Sequence, residues 1–341
     1  MEVDRDEVIL LAHGGGGTLT HKLIKEVLLP ELGNPVLEKL DDSACVSVDR
    51  NELAFTTDSF VIDPIFFPGG DIGSLSICGT VNDLAMQGAR PLFISMGLII
   101  EEGFFIRDIV RIVRSARQIC DMTGVSVVTG DTKVIPRNGM EQPRIFINTA
   151  GIGVRLEGVD VSVSNARPGD VVVITGPIGE HGTAVMCARG NLKLQSTITS
   201  DMAPLWGMVE SLLNKVPSVR CLRDPTRGGL AAALCDIASA SSCCIRIDEA
   251  KVPVRSEVRG ACELLGLDPL NVPNEGRAVV VCAPDDVDDV ISVLKSHPSG
   301  RESAVIGEIY AEPVSLVLLR TLTGGERLVE MPSGENLPRI C

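Results

Sequence analysis

The chain has 341 residues, 45% of them apolar, with 34 glycines and a single Trp and Tyr; that profile supports a sizeable core and two α/β domains and excludes a disordered chain. A net charge of −14 argues against nucleic acid and anionic membrane as partners. No apolar run reaches bilayer length, and the acidic start Met1-Glu2-Val3-Asp4-Arg5-Asp6-Glu7 is unlike a targeting peptide, so a cytoplasmic location is expected.

Taken in chain order, an apolar stretch at 8–12 runs into His13-Gly14-Gly15-Gly16-Gly17. Asp41-Asp42 precedes a strand over 45–48, which turns through Asp49-Arg50-Asn51 into a second strand over 53–57 ending at Asp58. Ile72, Leu75, Ile77, Val81, Leu84 and Ala85 recur at helical spacing and predict a helix within 70–88, closed by Gly88. A strand over 91–100 follows, then an amphipathic helix over 106–122 with Arg107, Arg111, Arg114 and Arg117 on its polar side. Strands over 125–129, stopping at Gly130-Asp131, and over 144–154 complete a first domain, 1–156. The change of texture across 155–170 marks the boundary. In the second domain, 157–322, strands are predicted over 171–175, 245–247, 278–282, 304–309 and 316–319. Helices open at Gly179-Glu180-His181-Gly182 and at Gly228-Gly229, and span 256–265 and 285–296. The expected fold is α/β (α+β): two tandem α/β sandwich domains, each with helices on a sheet. Residues 323–341 have Gly and Pro punctuation and little periodicity, which predicts a mobile C-terminal tail.

No Gly-Lys pair and no GxGxxG occurs, so any nucleotide site is neither a P-loop nor a dinucleotide fold. Asp41, Asp42, Asp58, Asn82, Asp83 and Asp131 fall at predicted strand ends or just inside a helix. Each alone reads as a cap or turn residue. As a set in one domain they suit more than one Mg²⁺ on a triphosphate, because hard cations that bridge phosphates take oxygen ligands. His13 to Gly17 either offers backbone N–H groups to phosphates or is a linker. Lys133 is an oxyanion partner or a solvated lysine. Asp224-Pro225-Thr226-Arg227-Gly228-Gly229 presents a guanidinium and a helix N-terminus to an anion, or is a capped turn. Glu275, within Pro273-Asn274-Glu275-Gly276-Arg277, is a general base or a turn residue, and His181 touches substrate or caps a helix. The 11 cysteines include no CxxC pair, so reduced thiols are expected rather than zinc ligands or disulfides. Cys341 is the last residue of the sequence, a place a cysteine takes by chance about one time in thirty. It is either a thiol on a flexible leash, able to visit more than one site, or a frayed end.

Asp41-Asp42-Ser43-Ala44, Thr56-Thr57-Asp58, Gly79-Thr80-Val81-Asn82-Asp83-Leu84-Ala85-Met86-Gln87-Gly88-Ala89, Gly130-Asp131-Thr132-Lys133-Val134 and Asp224-Pro225-Thr226-Arg227-Gly228-Gly229 resemble the PurM-like, aminoimidazole-ribonucleotide-synthetase superfamily. The loop His13 to Gly17, the element Pro273 to Arg277 and the ending Pro338-Arg339-Ile340-Cys341 resemble, within it, the HypE family of hydrogenase maturation proteins. The resemblance runs over essentially the whole chain. It implies two PurM-like domains, the first pairing in a homodimer and holding most of the ATP and Mg²⁺. The nucleotide residues implied are His13, Gly14, Gly15, Gly16, Gly17, Asp42, Thr57, Asp58, Asn82, Asp83, Asp131, Asp224, Thr226 and Arg227. The metal residues implied are Asp41, Asp42, Asp58, Asp83, Asp131 and Asp224. The implied reaction is ATP-dependent dehydration of an S-carboxamide on Cys341 to a thiocyanate, with Glu275 as base, Lys133 as stabiliser of the oxygen or departing phosphate, and His181 at the site. A HypF protein would load the carbamoyl group, and a HypC–HypD complex would take the cyanide for the iron of [NiFe]-hydrogenase. Purine-type and thiamine-phosphate members need no terminal cysteine. Selenophosphate synthetases carry a reactive Cys or Sec in the N-terminal glycine-rich region, and 13–20 contains none. A non-catalytic nucleotide-binding scaffold is the reading from another class, which ATP turnover would separate.

Overall fold

The computed structural model describes residues 8–10, 23–34, 52–137, 139, 142–189 and 197–331. The expected strand over 45–48, the glycine loop His13 to Gly17, the Asp41-Asp42 pair and Cys341 lie outside the described residues.

In the first domain, β1 (Leu53–Phe60), a small hairpin of β2 (Phe66–Phe67) and β3 (Gly70–Asp71), α1 (Ile72–Met86), β4 (Ala89–Glu101), α2 (Ile106–Thr123), β5 (Ser126–Ile135) and β6 (Ile145–Arg155) follow one another. The main sheet has the order β1-β6-β4-β5. The start of α1 is dictated locally. The Asp71 carboxylate accepts from the N–H groups of Gly73 (2.8 Å) and Ser74 (3.1 Å), and the Ser74 hydroxyl accepts from the Asp71 N–H (3.1 Å). This reciprocal pair satisfies donors that the first helical turn leaves over. Every residue of α1 except Asp83 is buried, because the helix lies between the sheet on one side and the second domain on the other. Gly73 is needed on its flank: a Cβ there would stand 2.0 Å from the Ile112 carbonyl oxygen of α2.

Strand β5 does not stop at Gly130-Asp131. Its parallel pairing with β4 continues through Asp131 opposite Gly97 and Lys133 opposite Ile99 to Ile135 opposite Glu101. Alternation then fixes which way each side chain faces. Thr56, Asp58 and Phe60 of β1 turn towards α1, while Leu53, Phe55, Thr57 and Ser59 turn to the opposite, outer face. Among the described residues no helix covers that outer face, on which Phe55 is 71% exposed and Ile99 42%.

The second domain comprises β7 (Val171–Ile174), α3 (Glu180–Ala188), α4 (Trp206–Lys215), β8 (Cys221–Arg223), α5 (Gly229–Ala240), β9 (Cys244–Asp248), α6 (Ser256–Leu265), β10 (Val279–Cys282), α7 (Val287–Ser296), β11 (Ala304–Tyr310), β12 (Leu316–Arg320) and β13 (Glu326–Val329). The seven strands lie in the order β13-β12-β9-β11-β7-β10-β8. Strand β13 occupies part of the segment expected to be tail, pairing Val317 with Val329 and Arg320 with Glu326. Its four residues bury only Val329, too little for a strand pattern to show in the sequence. Helices α4 and α7 cover one face of the sheet and α5 the other. The α4 side chains Trp206, Leu212 and Leu213, with Leu205 just before them, share one continuous core with Leu75, Ile77 and Val81 of α1, so the two domains are joined by apolar packing as well as by the chain. Among the described residues no helix is long and apolar enough to cross a membrane.

Candidate active site

Four pieces of chain meet where α1 faces the second domain. From the first domain come β1 and the C-terminal half of α1. From the second come the loop that leads from β8 to α5 and the loop that leads into β10. Thr56 donates its hydroxyl to the Asp83 carboxylate (2.7 Å), which ties β1 to α1 and fixes the Asp83 rotamer. Asn82, one residue earlier, is buried and points across the domain boundary. Its amide donates to the carbonyls of Ala203 and Glu275 (both 3.1 Å), and its oxygen accepts from the Leu205 N–H (2.8 Å).

The loop before α5 turns on Gly228 (φ +74°) and Gly229 (φ +61°). A Cβ on Gly229 would fall 2.5 Å from the Leu270 carbonyl oxygen, so both conformation and space demand glycine there. Asn274 binds this loop to the other one: its amide donates to the carbonyls of Pro225 and Val272 (both 3.1 Å), and its oxygen accepts from the Gly179 N–H (2.7 Å). The next residue, Glu275, is only 3% exposed.

The result is a carboxylate cluster with one electrostatic character. Burial, and then the charges of Asp224, Asp201, Asp58 and Asp83, push the Glu275 carboxyl well above the usual carboxylate range. Burial and the charge of Asp83 push Asp224 up to about 7. Burial likewise raises Asp83 and Asp58, against the opposing pull of Arg227 on both. Perturbed acids that perturb one another in a partly closed cleft are the signature of a functional site rather than of a stability device. A cavity of about 660 Å³ opens beside them, lined by Phe55, Thr56, Asp83, Arg155, Arg223 and Asp224 among others, a size suited to a nucleotide.

Among the described residues no group of three or more His, Cys, Asp or Glu stands close enough to hold a metal by protein ligands alone. The donor set still fits Mg²⁺. Its carboxylates are all-oxygen donors, and Mg²⁺ characteristically takes one or two carboxylates and fills its octahedron with water and phosphate oxygens. Asp58, Asp83 and Asp224 are the described residues from which the one or two carboxylates for each ion would come.

Of the residues singled out from the sequence, the structure gathers Asp58, Asn82, Asp83, Asp224, Arg227 and Glu275. Thr226 stays in the turn, its carbonyl accepting from the Gly229 N–H (2.9 Å). Three others go elsewhere. Thr57, Asp131 and Lys133 lie on the outer face of the sheet, Thr57 donating to the Thr149 carbonyl (2.9 Å). Asp131 and Lys133 pair with each other at 3.0 Å, both well exposed. Three strand spacings, roughly 14 Å, separate β5 from β1. The physical reason is the continued strand: a side chain in mid-strand takes its face from register, not from its motif. His181 is fully buried, its Nδ1 2.8 Å from the Ser200 hydroxyl and its ring edge-on to Phe67, so it presents no surface to a substrate. Asp201 carries no signal in the sequence. Its carboxylate is fully buried against Glu275, and it sits in coil with no motif around it.

Comparison with known proteins agrees with this fold. Residues 40–155 match the N-terminal domain of AIR synthase related proteins, and 167–318 the C-terminal domain. The carbamoyl dehydratase HypE of Rhizobium leguminosarum bv. viciae is 46% identical over 332 residues, 97% of this chain and 94% of that one. A crystal structure of hydrogenase maturation protein HypE in complex with ATP superposes with a TM-score of 0.93 at 42% identity, covering 97% of this chain and 99% of the other. A chain from a HypE–HypF complex superposes at 0.79 with 45% identity, covering 91% and 99%. Two PurM-like domains with an acidic site between them define a protein of the AIR synthase related class. Within that class the chain belongs to the HypE family of carbamoyl dehydratases, enzymes of hydrogenase maturation.

Proposed function

We propose that the chain dehydrates an S-carboxamide on its own Cys341 to a thiocyanate, using ATP, and so supplies the cyanide ligand for the iron centre of [NiFe]-hydrogenase. The observation that carries this reading is Glu275: a buried carboxyl whose proton affinity is raised by burial and by Asp224, Asp201, Asp58 and Asp83. When ionised, such a group is a stronger base than an exposed glutamate. The carboxamide oxygen attacks the γ-phosphorus, an O–P bond forms and the bond to ADP breaks. Loss of two N–H protons, with Glu275 as the acceptor beside the substrate, and departure of phosphate with the former carboxamide oxygen leave the C≡N group on sulfur. Mg²⁺, when bound through Asp58, Asp83 and Asp224, would supply the positive charge that phosphoryl transfer requires. Arg155 and Arg223 line the neighbouring cavity and would bring positive charge to a nucleotide there. Asp41, Asp42 and the loop His13 to Gly17 complete the nucleotide site in this reading.

The apolar face of the first sheet, which no helix covers among the described residues, is the surface through which two copies would pair. Lys133 and Asp131 stand on that face and take part in the reaction only through the pairing. HypF would load the carbamoyl group, as the HypE–HypF complex of the relative suggests, and a HypC–HypD complex would receive the cyanide in the cytoplasm.

Intact-protein mass spectrometry after incubation with carbamoyl phosphate, ATP, Mg²⁺ and a HypF protein tests the proposal. The expected mass gain is one carbamoyl group, reduced by one water when this protein turns over ATP, and neither change in Cys341→Ala. Cyanide transfer by Cys341→Ala, or an adduct on another residue, would overturn it.

A further inference from the structure

Asp201 joins three segments that meet at Glu275. One carboxylate oxygen accepts from the N–H groups of His181 (3.1 Å) and Glu275 (3.3 Å), and the other accepts from the Gly276 N–H (3.1 Å). The side chain has no exposed surface, and its cationic neighbour among the described residues, Arg277 Nε at 3.6 Å, is itself held by the Pro177 carbonyl (2.8 Å), while the same guanidinium donates to the Glu180 carboxylate (2.6 Å). On the other side of the same residue, the Glu275 carbonyl accepts from Asn82 (3.1 Å) and from the Ala203 N–H (3.4 Å). The peptide groups on both sides of the Glu275 Cα are therefore clamped, and the Cα–Cβ direction has no freedom left. The segments are in van der Waals contact as well: a Cβ on Gly276 would lie 1.9 Å from the Asp201 carbonyl oxygen.

A loop of this length does not hold a carboxyl in one place unaided, and a base must sit within hydrogen-bond reach of the proton it takes. A burying cleft could have closed over Glu275 with apolar residues alone. Instead three N–H groups converge on one carboxylate, two of them the amides of Glu275 and its successor. We infer that Asp201 is a positioning residue for the dehydration: by accepting from the Glu275 and Gly276 N–H groups it sets where the Glu275 carboxyl stands between the domains. The inference rests on the reading of Glu275 as the proton acceptor, and its test separates the two.

The test uses the full chain carbamoylated on Cys341, followed by the loss of one water in single-turnover reactions over a range of ATP concentrations. Asp201→Ala removes all three acceptor contacts. Misplacement of the base by a fraction of an ångström is expected to slow the reaction at saturating ATP by about 10- to 100-fold, with half-saturating ATP changed by less than about threefold. Asp201→Asn keeps an oxygen for the His181 and Glu275 N–H groups and turns an amide towards Gly276, so it should recover part of the loss and remain at least about threefold slow. Gly276→Ala, which pushes the same segments apart, should resemble Asp201→Ala. A folded Asp201→Ala at the parent rate, with Glu275→Gln inactive, overturns the positioning role and leaves the base in place. Half-saturating ATP rising in proportion to the rate loss overturns it too, because that is the mark of a disturbed nucleotide site. If Asp201→Ala does not fold, Asp201→Asn at the parent rate is sufficient to sink the idea. Glu275→Gln at the parent rate shows instead that the underlying reading is wrong.

Discussion

Asn82 donates its side-chain amide to the main-chain carbonyl of Glu275 at 3.1 Å, although the two residues are 193 positions apart. One buried amide thus links the helix that carries Asp83 to the loop that carries the candidate base. Asn82→Ala strands the carbonyl of Ala203 and the N–H of Leu205 away from water and leaves the Glu275 carbonyl with only the Ala203 N–H as donor among the described residues. Each such group costs about 1–3 kcal/mol, and with partial relaxation a total loss near ~3 kcal/mol is expected. Urea unfolding should show a lowered midpoint, and the two domains should begin to unfold separately, because α1 is their main common element.

The acid cluster gives the nucleotide- and metal-free protein a specific pH dependence. Asp224 ionises near the ordinary value of 3.8 when unfolded and at about 7 when folded. Between those values the folded state binds the extra proton, so stability falls as pH rises through the window and then levels. Glu275 is shifted in the same direction, because burial and its acidic neighbours oppose its charge. Thermal midpoints in a chelating buffer should therefore fall from about pH 4 to about pH 7. Asp224→Asn should flatten the slope and be more stable than the parent above that window. A midpoint that rises across it would contradict the electrostatic account.

Much of the fold could be read from periodicity, and the limits of that reading are physical. The spacing of Ile72, Leu75 and Val81 placed α1 to within two residues at either end. Strand β13 was invisible because a four-residue edge strand with one buried side chain carries no pattern. For the candidate site, Asp58, Asp83, Asp224 and Glu275 could be singled out because each carboxylate interrupts or closes an apolar run, although Asp58 lies within β1, which continues to Phe60 instead of ending at Asp58. Asp131 and Lys133 belong to an equally clear motif, yet lie on the other face of the sheet, since the face depends on the register with Gly97 and Ile99. Asp201 had no signal at all: its partners are backbone N–H groups supplied by residues 20 and 74 positions away.

Two glycines on helices make opposite predictions from one substitution. Gly260 lies in α6 with nothing within 4 Å of the place an added Cβ would take, so Gly260→Ala should stabilise by about 0.5–1 kcal/mol through helix propensity. Gly73 gains the same propensity, but its Cβ would meet the Ile112 carbonyl oxygen at 2.0 Å, which neither backbone can accommodate without moving α2. Gly73→Ala should therefore lose at least about 2 kcal/mol net. Chemical denaturation of the two variants against the parent measures both signs.

The outer face of the first sheet can be tested through Phe55. It is 71% exposed, on the face that also carries Leu53 (50% exposed) and Ile99 (42%). In β1, Asp58 and Thr56 point to the opposite side, but Phe55 also borders the cavity beside the acid cluster, so Ile99→Asp, on the same outer face and outside that cavity's lining, is made alongside Phe55→Asp. A charge placed at the centre of an apolar interface must be desolvated on association, at a cost of several kcal/mol per copy. If two copies pair through this face, Phe55→Asp and Ile99→Asp should each shift sedimentation from dimer to monomer at micromolar protein, with no loss of thermal stability from Phe55→Asp, because the exposed Phe55 contributes little to its own domain core. If the pairing face also brings Lys133 to the reaction, the Ile99→Asp monomer, whose substitution lies outside the cavity lining, will bind ATP yet fail to dehydrate a carbamoylated Cys341. A Phe55→Asp protein that sediments like the parent would place the subunit contact on another surface and remove Lys133 and Asp131 from the reaction.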